Sequence, residues 1–433
     1  MVTPFWYTLL CGEIKMLDII ENSNDEAIEV EIDTTKVYYL PKEIKVVKYK
    51  ECFLVIYTEG VMWIVLQDEE ELAIFKDLND KKNIEYVFEN YSKESVMNVI
   101  MQIEAKKFEQ PYAIEIDEKN VYIYLTNNCN QRCKHCYMYA GDIKIEELQY
   151  EKWLDILTAL KQAGCKGVTF TGGEITVYNG FDKLIKHAHK LGLLVTVLSN
   201  GILWTQELID ELHEYIDEIQ ISIDGYNTES YYEVRRCDGF KEAITCIENF
   251  YKAGTKVSMA TTPLYDKLDK FISGFESFAH SFLDKYPEIF IKLNHELIMG
   301  REVKTTEEEN REYREKLKNL VEKLYPEYYT DTFVLNYENK AIRRNCGFGG
   351  ISIAANGDVY WCNRIHELKS TINILDMDIH EIMHIANKVK NSTSVDNTKG
   401  CKNCEIRYIC GGDCRMKYEG IKNIANHEVF LLT

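Results

Sequence analysis

The 433-residue chain lacks any run approaching the roughly 20 apolar residues that a membrane-spanning helix needs. Its opening residues, MVTPFWYTLLCGEIKM, carry neither a basic leader nor a small-residue cleavage site, so secretion is not expected and a cytoplasmic location is. Basic charge is short as well. There are 51 Lys and Arg against 70 Asp and Glu, a net charge of −19, with no long block of consecutive Lys or Arg. Such a surface repels phosphate backbones, so neither nucleic acid nor a membrane is expected as a partner. The remaining composition, 45% hydrophobic and 28% charged, is that of a soluble globular protein. The length exceeds one ordinary core, and two to four domains are expected.

Cysteine is what the chain has in plenty. A reducing compartment disfavours structural disulfides, so 14 cysteines point to metal binding. Nine of them are grouped: Cys129, Cys133, Cys136, then Cys346, Cys362, Cys401, Cys404, Cys410 and Cys414. Cys11, Cys52, Cys165, Cys237 and Cys246 are scattered and read as small buried residues.

Before residue 112, the runs KEIKVVKYK, ECFLVIYT and GVMWIVLQ predict three short strands, with Glu59-Gly60 turning between the last two. Three helical stretches follow, EEELAIFKDL, NIEYVFENY and SKESVMNVIMQIEAKKF, the last with Ser92 at its start. This is a winged-helix-like order. From Val121 the pattern changes to strands alternating with helices: VYIYLT, GVTFTG, LLVTVLSN, EIQISIDG, KVSMATT and FIKLNHE are the strands. Six apolar strands separated by helices predict a parallel sheet covered by helices, with function at the strand C-termini. A charged helix over Thr305–Lys323 reads as a solvated connector. The segment from Cys346 has few apolar periods and is expected to be organised around metal. The expected domains are therefore 1–112, 113–302, 303–345 and 346–433.

Cys129-Asn-Gln-Arg-Cys133-Lys-His-Cys136 directly follows the strand VYIYLT. Three thiolates within eight residues can meet one four-iron cubane and leave its fourth iron open to a small chelating cofactor. A zinc site would normally close with four ligands, and His135 is awkwardly adjacent to Cys136 for that. Spacing alone favours iron–sulfur and leaves zinc open.

The loop resembles the CxxxCxxC signature of the radical S-adenosylmethionine (SAM) superfamily, and later strand ends agree with it. Gly172-Gly173-Glu174 after the second strand is similar to the family's GGE motif, which binds the methionine amino group. Ser199-Asn200-Gly201 ends the third strand, where the family has a Thr-Asn-Gly segment. Ile221-Ser222-Ile223-Asp224-Gly225 resembles the fourth-strand segment, with Ser222 and Arg235 at the positions that contact the cofactor's ribose and carboxylate. Arg236 competes with Arg235. His135 occupies the usually aromatic position that lies against the adenine. The resemblance covers residues 121 to about 302 and implies a partial (β/α)6 TIM barrel, an α/β fold, binding S-adenosylmethionine and a 4Fe-4S cluster on Cys129, Cys133 and Cys136.

The remaining clustered cysteines, with ISIAANGDVYWC and CKNCEIRYICGGDC around them, resemble a SPASM domain. That resemblance implies two auxiliary 4Fe-4S clusters, making three in all: one on Cys346, Cys362 and Cys414, the other on Cys401, Cys404 and Cys410. The family's further cysteine after Cys414 is missing, which leaves His427, Glu428 or water as its substitute. No cysteine shortly precedes Cys346 either, so the first auxiliary cluster can keep an open iron. The N-terminal segment is similar to the PqqD-like element that binds the leader of a ribosomally made precursor peptide by strand addition. Together these imply a peptide maturase forming thioether crosslinks, fed by an electron donor such as flavodoxin or ferredoxin. Carbon–carbon crosslinking, sulfatase-maturase-like oxidation, and a non-catalytic zinc or electron-transfer protein are the alternatives.

Overall fold

The computed structural model describes residues 33–41, 44–49, 52–57, 62–108, 120–326, 346–365, 368, 370–404, 407–412 and 414–417. Glu59-Gly60, His427 and Glu428 lie outside them. Chain contacts divide the molecule into two units. One takes Met1–Ile116, Tyr325–Asn345 and Val395–Gly412; the other takes Asp117–Leu324, Cys346–Ser394 and Asp413–Thr433.

In the first unit, β-branched and aromatic residues form β1 (Ile44–Tyr49), β2 (Cys52–Tyr57) and β3 (Met62–Leu66), an antiparallel sheet in that order. Helices α1 (Glu69–Asn79), α2 (Ile84–Asn90) and α3 (Lys93–Ala105) follow. Each has a side-chain N-cap, from Asp68, Asn83 and Ser92 respectively. Their apolar faces enclose a core with Val55, Ile64, Leu66, Phe75, Val99 and Phe108. The outward backbone groups of β3 are taken by side chains of the helices. Gln102 accepts from Val65 N at 2.9 Å and donates to Val65 O at 2.7 Å, as a neighbouring peptide group would. Lys106 donates to Trp63 O at 3.3 Å, and Glu71, held by Asn98, accepts from Gln67 N at 2.7 Å. Asn98, Gln102 and Lys106 recur every four residues, so one stripe of the helix covers a strand edge.

The second unit opens with β4 (Asn120–Tyr124), then α4 (Tyr150–Gln162), β5 (Gly167–Thr171), α5 (Phe181–Lys190), β6 (Leu194–Ser199), α6 (Gln206–Leu212) and β7 (Glu218–Ser222). It continues with α7 (Thr228–Arg235), α8 (Phe240–Lys252), β8 (Lys256–Thr261), α9 (Leu268–Lys285), β9 (Phe290–Leu293) and α10 (Glu307–Leu324). Strands β4 to β9 pair in sequence order and all in parallel. The βαβ expectation is met, and every strand C-terminus lies on one side.

Three features depart from the expectations. Ile351–Ile353 forms β10 beside β4 in parallel, and Val359–Tyr360 forms β11 antiparallel to β10, so the sheet has eight strands. Helix α11 (Ile379–Ser392) buries Ile382, Ala386 and Val389, so the segment after Cys346 has apolar packing of its own. Helix α10 is also more than a solvated connector. It buries Tyr313, Leu317, Leu320 and Leu324, and Tyr313 Oη donates to Pro263 O at 3.0 Å. The spacing of four, three and four is a narrow helical stripe among many charges.

Leu317→Ala tests this correction. Loss of a fully buried leucine lowers unfolding free energy by about 2–5 kcal/mol in urea denaturation, whereas a solvated connector would give about 0.5 kcal/mol or less.

Candidate active site

The β4–β5 pairing runs on past both strands. Leu125 N donates to Thr171 O at 3.0 Å, Gly173 N to Thr126 O at 2.8 Å and Glu174 N to Asn128 O at 2.9 Å. The cysteine loop and the Gly172-Gly173-Glu174 turn are thus stitched together by backbone. A Cβ on Gly172 would stand 2.4 Å from Thr126 O, and one on Gly173 2.1 Å from Asn128 O, so only glycine admits this approach.

Glu174 then carries the stitching to β6. Its carboxylate, 1% exposed, accepts from Thr176 N and Oγ1, from Ser199 Oγ at 2.7 Å and from Asn200 N at 2.7 Å. Burial raises its pKa from the ordinary carboxylate value, against the pull of those donors. Asn200 Nδ2 donates to Asn130 Oδ1 at 2.7 Å, reaching back to the cysteine loop. The residues singled out on three strand ends are one hydrogen-bonded structure.

The fourth strand end adds charge. Asp224, 1% exposed, accepts from Thr262 N at 2.7 Å through one oxygen and from Arg235 Nε at 2.7 Å through the other. His135 Nε2 lies 3.3 Å from the latter oxygen. Arg235 also donates to Gln131 Oε1 at 2.9 Å, and Gln131 Nε2 lies 3.1 Å from both Tyr231 Oη and Cys237 Sγ. Arg236 instead caps α7 with φ 57° and pairs with Glu302, both part-exposed. Between the two competing arginines, Arg235 is the one inside the site. Ser222 closes β7, half-buried.

Burial pushes the Cys129 thiol up to about 11 and the Cys133 thiol up to about 12. Each thiol feels Cys136 and Arg235 nearby. Thiols this hard to ionise in isolation become ligands when a cation replaces the proton. Among the described residues, no three Cys, His, Asp or Glu side chains meet at the spacing of a single metal ion. A cubane, being wider than one ion, needs its thiolates further apart. His135 Nδ1 is buried without a hydrogen-bond partner, a place for a donor on a bound molecule. The residues present fit an iron–sulfur cluster with an open position and a polar cofactor beside it.

The second cysteine group is also partly assembled. Cys362, pushed up to about 11 by burial, feels the Cys346 and Cys414 thiols, and Cys414 feels Cys346 in turn. Tyr124 Oη, at the end of β4, donates to Asn363 O at 2.6 Å and lies 3.3 Å from Tyr137 Oη. The residue after Cys362 is thereby tied to the residue after Cys136. Cys401 and Cys404 share one tight turn, with Cys404 N donating to Cys401 O at 2.8 Å, and Cys410 is exposed.

Residues 123–270 match the Radical SAM superfamily. The chain is similar to the sporulation killing factor maturation protein SkfB of Bacillus subtilis, 37% identical over 142 residues. That match takes in 32% of this chain and 34% of SkfB, about a third of each. The subtilosin biosynthesis protein AlbA of the same organism is 25% identical over 320 residues, 68% of this chain and 66% of AlbA. The fold is shared with Streptococcus suis SuiB bound to S-adenosylmethionine, at TM-score 0.51 and 16% identity, over 88% of this chain and 97% of SuiB. No described helix is long and apolar enough to cross a membrane.

Several residues of the site carried no recognisable signal. Glu147 accepts from Thr126 Oγ1 at 2.7 Å and Asn127 N at 2.8 Å, shaping the entry to the cysteine loop. Gln131 is the buried hub described above, and Cys237, read as an ordinary small residue, is its neighbour. Arg132 and Arg301 grip the loop from outside. None of these belongs to a spaced pattern, and only folding brings them together.

Arg235→Ala leaves Asp224 buried without its cation and costs about 3–5 kcal/mol of stability. Arg236→Gly breaks only a part-exposed pair and changes stability by about 1 kcal/mol or less. Urea unfolding of the metal-free chain measures both, and equal effects would contradict the assignment.

Proposed function

We propose that the chain is a radical SAM enzyme that oxidatively modifies a ribosomally made precursor peptide, most simply by joining a cysteine sulfur to a carbon. One observation carries the reading: the Cys129–Cys136 loop converges with Glu174, Asn200 and the Asp224–Arg235 pair at the C-terminal ends of successive parallel strands. Cys129, Cys133 and Cys136 would hold a 4Fe-4S cluster, which would supply the electron for reductive cleavage of S-adenosylmethionine and so the means to remove hydrogen from a peptide C–H.

The chain's own residues would do the rest. His135, Gly172, Gly173, Glu174, Ser199, Asn200, Ser222, Asp224 and Arg235 would position the cofactor. Rigid, buried partners on Glu174 and Asp224 hold those groups still, which is what orientation of a reactive carbon demands. Cys346, Cys362 and Cys414, with Cys401, Cys404 and Cys410, would hold two auxiliary clusters that take up the electron an oxidised peptide must lose. A flavodoxin or ferredoxin would deliver the first electron.

The N-terminal unit would recruit the leader of the peptide by strand addition. A strand added beside β3 has to replace the bonds that Gln102 and Lys106 now make to Val65 and Trp63. SkfB is a maturation protein, and SuiB has been crystallised with the precursor peptide SuiA; both support a peptide substrate for this chain.

Anaerobic reconstitution followed by dithionite and S-adenosylmethionine should release 5′-deoxyadenosine. Cys129→Ala should abolish that release. Cys410→Ala should keep cofactor cleavage while peptide modification, read as loss of two hydrogens per bond by mass spectrometry, falls. An iron-loaded chain that yields no deoxyadenosine would overturn the proposal.

A further inference from the structure

The carbonyl oxygen of each cysteine in the first trio receives a hydrogen bond from an arginine. Arg132 Nη1 donates to Cys129 O at 2.8 Å and to Gln131 O at 2.8 Å. Arg301 Nη1 donates to Cys133 O at 2.6 Å, and its backbone N donates to Cys136 O at 3.1 Å. Arg301 Nη2 further holds Ala140 O at 2.9 Å, and Arg132 Nη2 holds Gly141 O at 3.0 Å. Asp142 stands between the cations, with Arg301 Nε at 2.6 Å on one oxygen and Arg132 Nε at 3.1 Å on the other. The side chain of Arg301 is only 12% exposed.

The segment that carries Arg301 is built to lie against the loop. It follows β9, the last strand of the parallel run, and Glu302 N donates to Lys134 O at 2.8 Å beside the Arg301 bond to Cys136. A Cβ on Gly300 would stand 2.5 Å from His135 O, so the backbone approaches as closely as glycine permits. Tyr139 Oη closes the other side by donating to Gly300 O at 3.2 Å. Two arginines and one aspartate leave one net positive charge on the bracket. Arg132 and Asp142 are part-exposed and screened by water, so the shielded Arg301 carries most of the bracket's effective charge.

We infer that Arg301, with Arg132, is a positioning residue that brackets the Cys129–Cys136 loop and sets the reduction potential of the cluster held there. The inference rests on the reading of that trio as a cluster site. A buried positive charge favours the form carrying one more electron, so the bracket raises the potential. Asp142, as the counter-charge, lowers it. The two residues thus act with opposite sign on one quantity, which a purely structural role in the loop would not do.

The test uses the full chain, reconstituted anaerobically, with Cys362→Ala and Cys404→Ala present so that the first cluster dominates the signal. The midpoint potential is read by titration with electron paramagnetic resonance, and cluster stability by the rate of iron loss to a chelator. Arg301→Gln should move the potential to more negative values and Asp142→Asn to less negative ones. Arg301→Lys should restore the potential while iron leaves several-fold faster, because an ammonium cannot hold both the Cys133 and Ala140 carbonyls in the planar fork geometry. If Arg301→Gln does not fold, the sign of the Asp142→Asn shift decides alone. Unmoved potentials, or shifts of the same sign, would overturn the inference while leaving the cluster reading intact. Absence of a cubane signal in the parent chain would instead overturn the cluster reading and the inference with it.

Discussion

The pairing of β4 with β5 does not stop where the strands end. It continues as backbone hydrogen bonds between the residues before Cys129 and the Gly172-Gly173-Glu174 turn, and the rest of the site is arranged from there. Because side chains at those glycines would collide with the facing carbonyls, the contact admits one residue type. Glu174 extends the stitching to β6, Asn200 returns it to Asn130, and Asp224 with Arg235 and Gln131 ties in β7 and α7. A loop bearing three cysteines would otherwise sample many shapes. Here it is held from four strand ends and, from outside, by two arginines.

Burial and charge have been placed against one another at each step. Glu174 and Asp224 are carboxylates withdrawn from water, which is costly unless donors surround them. Both are surrounded, by four donors and by two donors with His135 beside them. The half-buried thiols of Cys129 and Cys133 have weaker support, one bond from Gln131 N at 3.4 Å to Cys129 and one from Cys133 to Gln131 Oε1 at 3.4 Å. Desolvation raises their pKa values to about 11 and about 12. Groups that resist ionisation alone, on a loop this tightly fixed, are suited to a cationic cluster and poorly suited to simple surface chemistry. The same contrast holds at Cys362, beside Cys346 and Cys414.

Much of this was legible in the residues. Strands with period-two or fully apolar character, separated by helices, announced the parallel run β4–β9, and the strand-end motifs fell where such a sheet puts its chemistry. The expected N-terminal order of three strands and three helices is likewise found. What stayed hidden depended on contacts distant in sequence. Ile351–Ile353 is too short to declare itself a strand, and becomes one only because β4 offers an open edge. The core stripe of α10 is masked by its charges. Arg301 and Asp142 meet across 159 residues, so no local pattern marks them. The row Asn98, Gln102 and Lys106 looks like a wet helix face until β3 is seen beside it.

The central claim is that the Cys129–Cys136 loop holds an iron–sulfur cluster with one iron free to bind S-adenosylmethionine. The most direct measurement is the electron paramagnetic resonance spectrum of the dithionite-reduced chain before and after adding S-adenosylmethionine. A cubane signal is expected that changes on addition, because the cofactor would bind the cluster itself, and that disappears in Cys133→Ala. A chain that purifies with zinc, or whose cluster signal is indifferent to the cofactor, would contradict it.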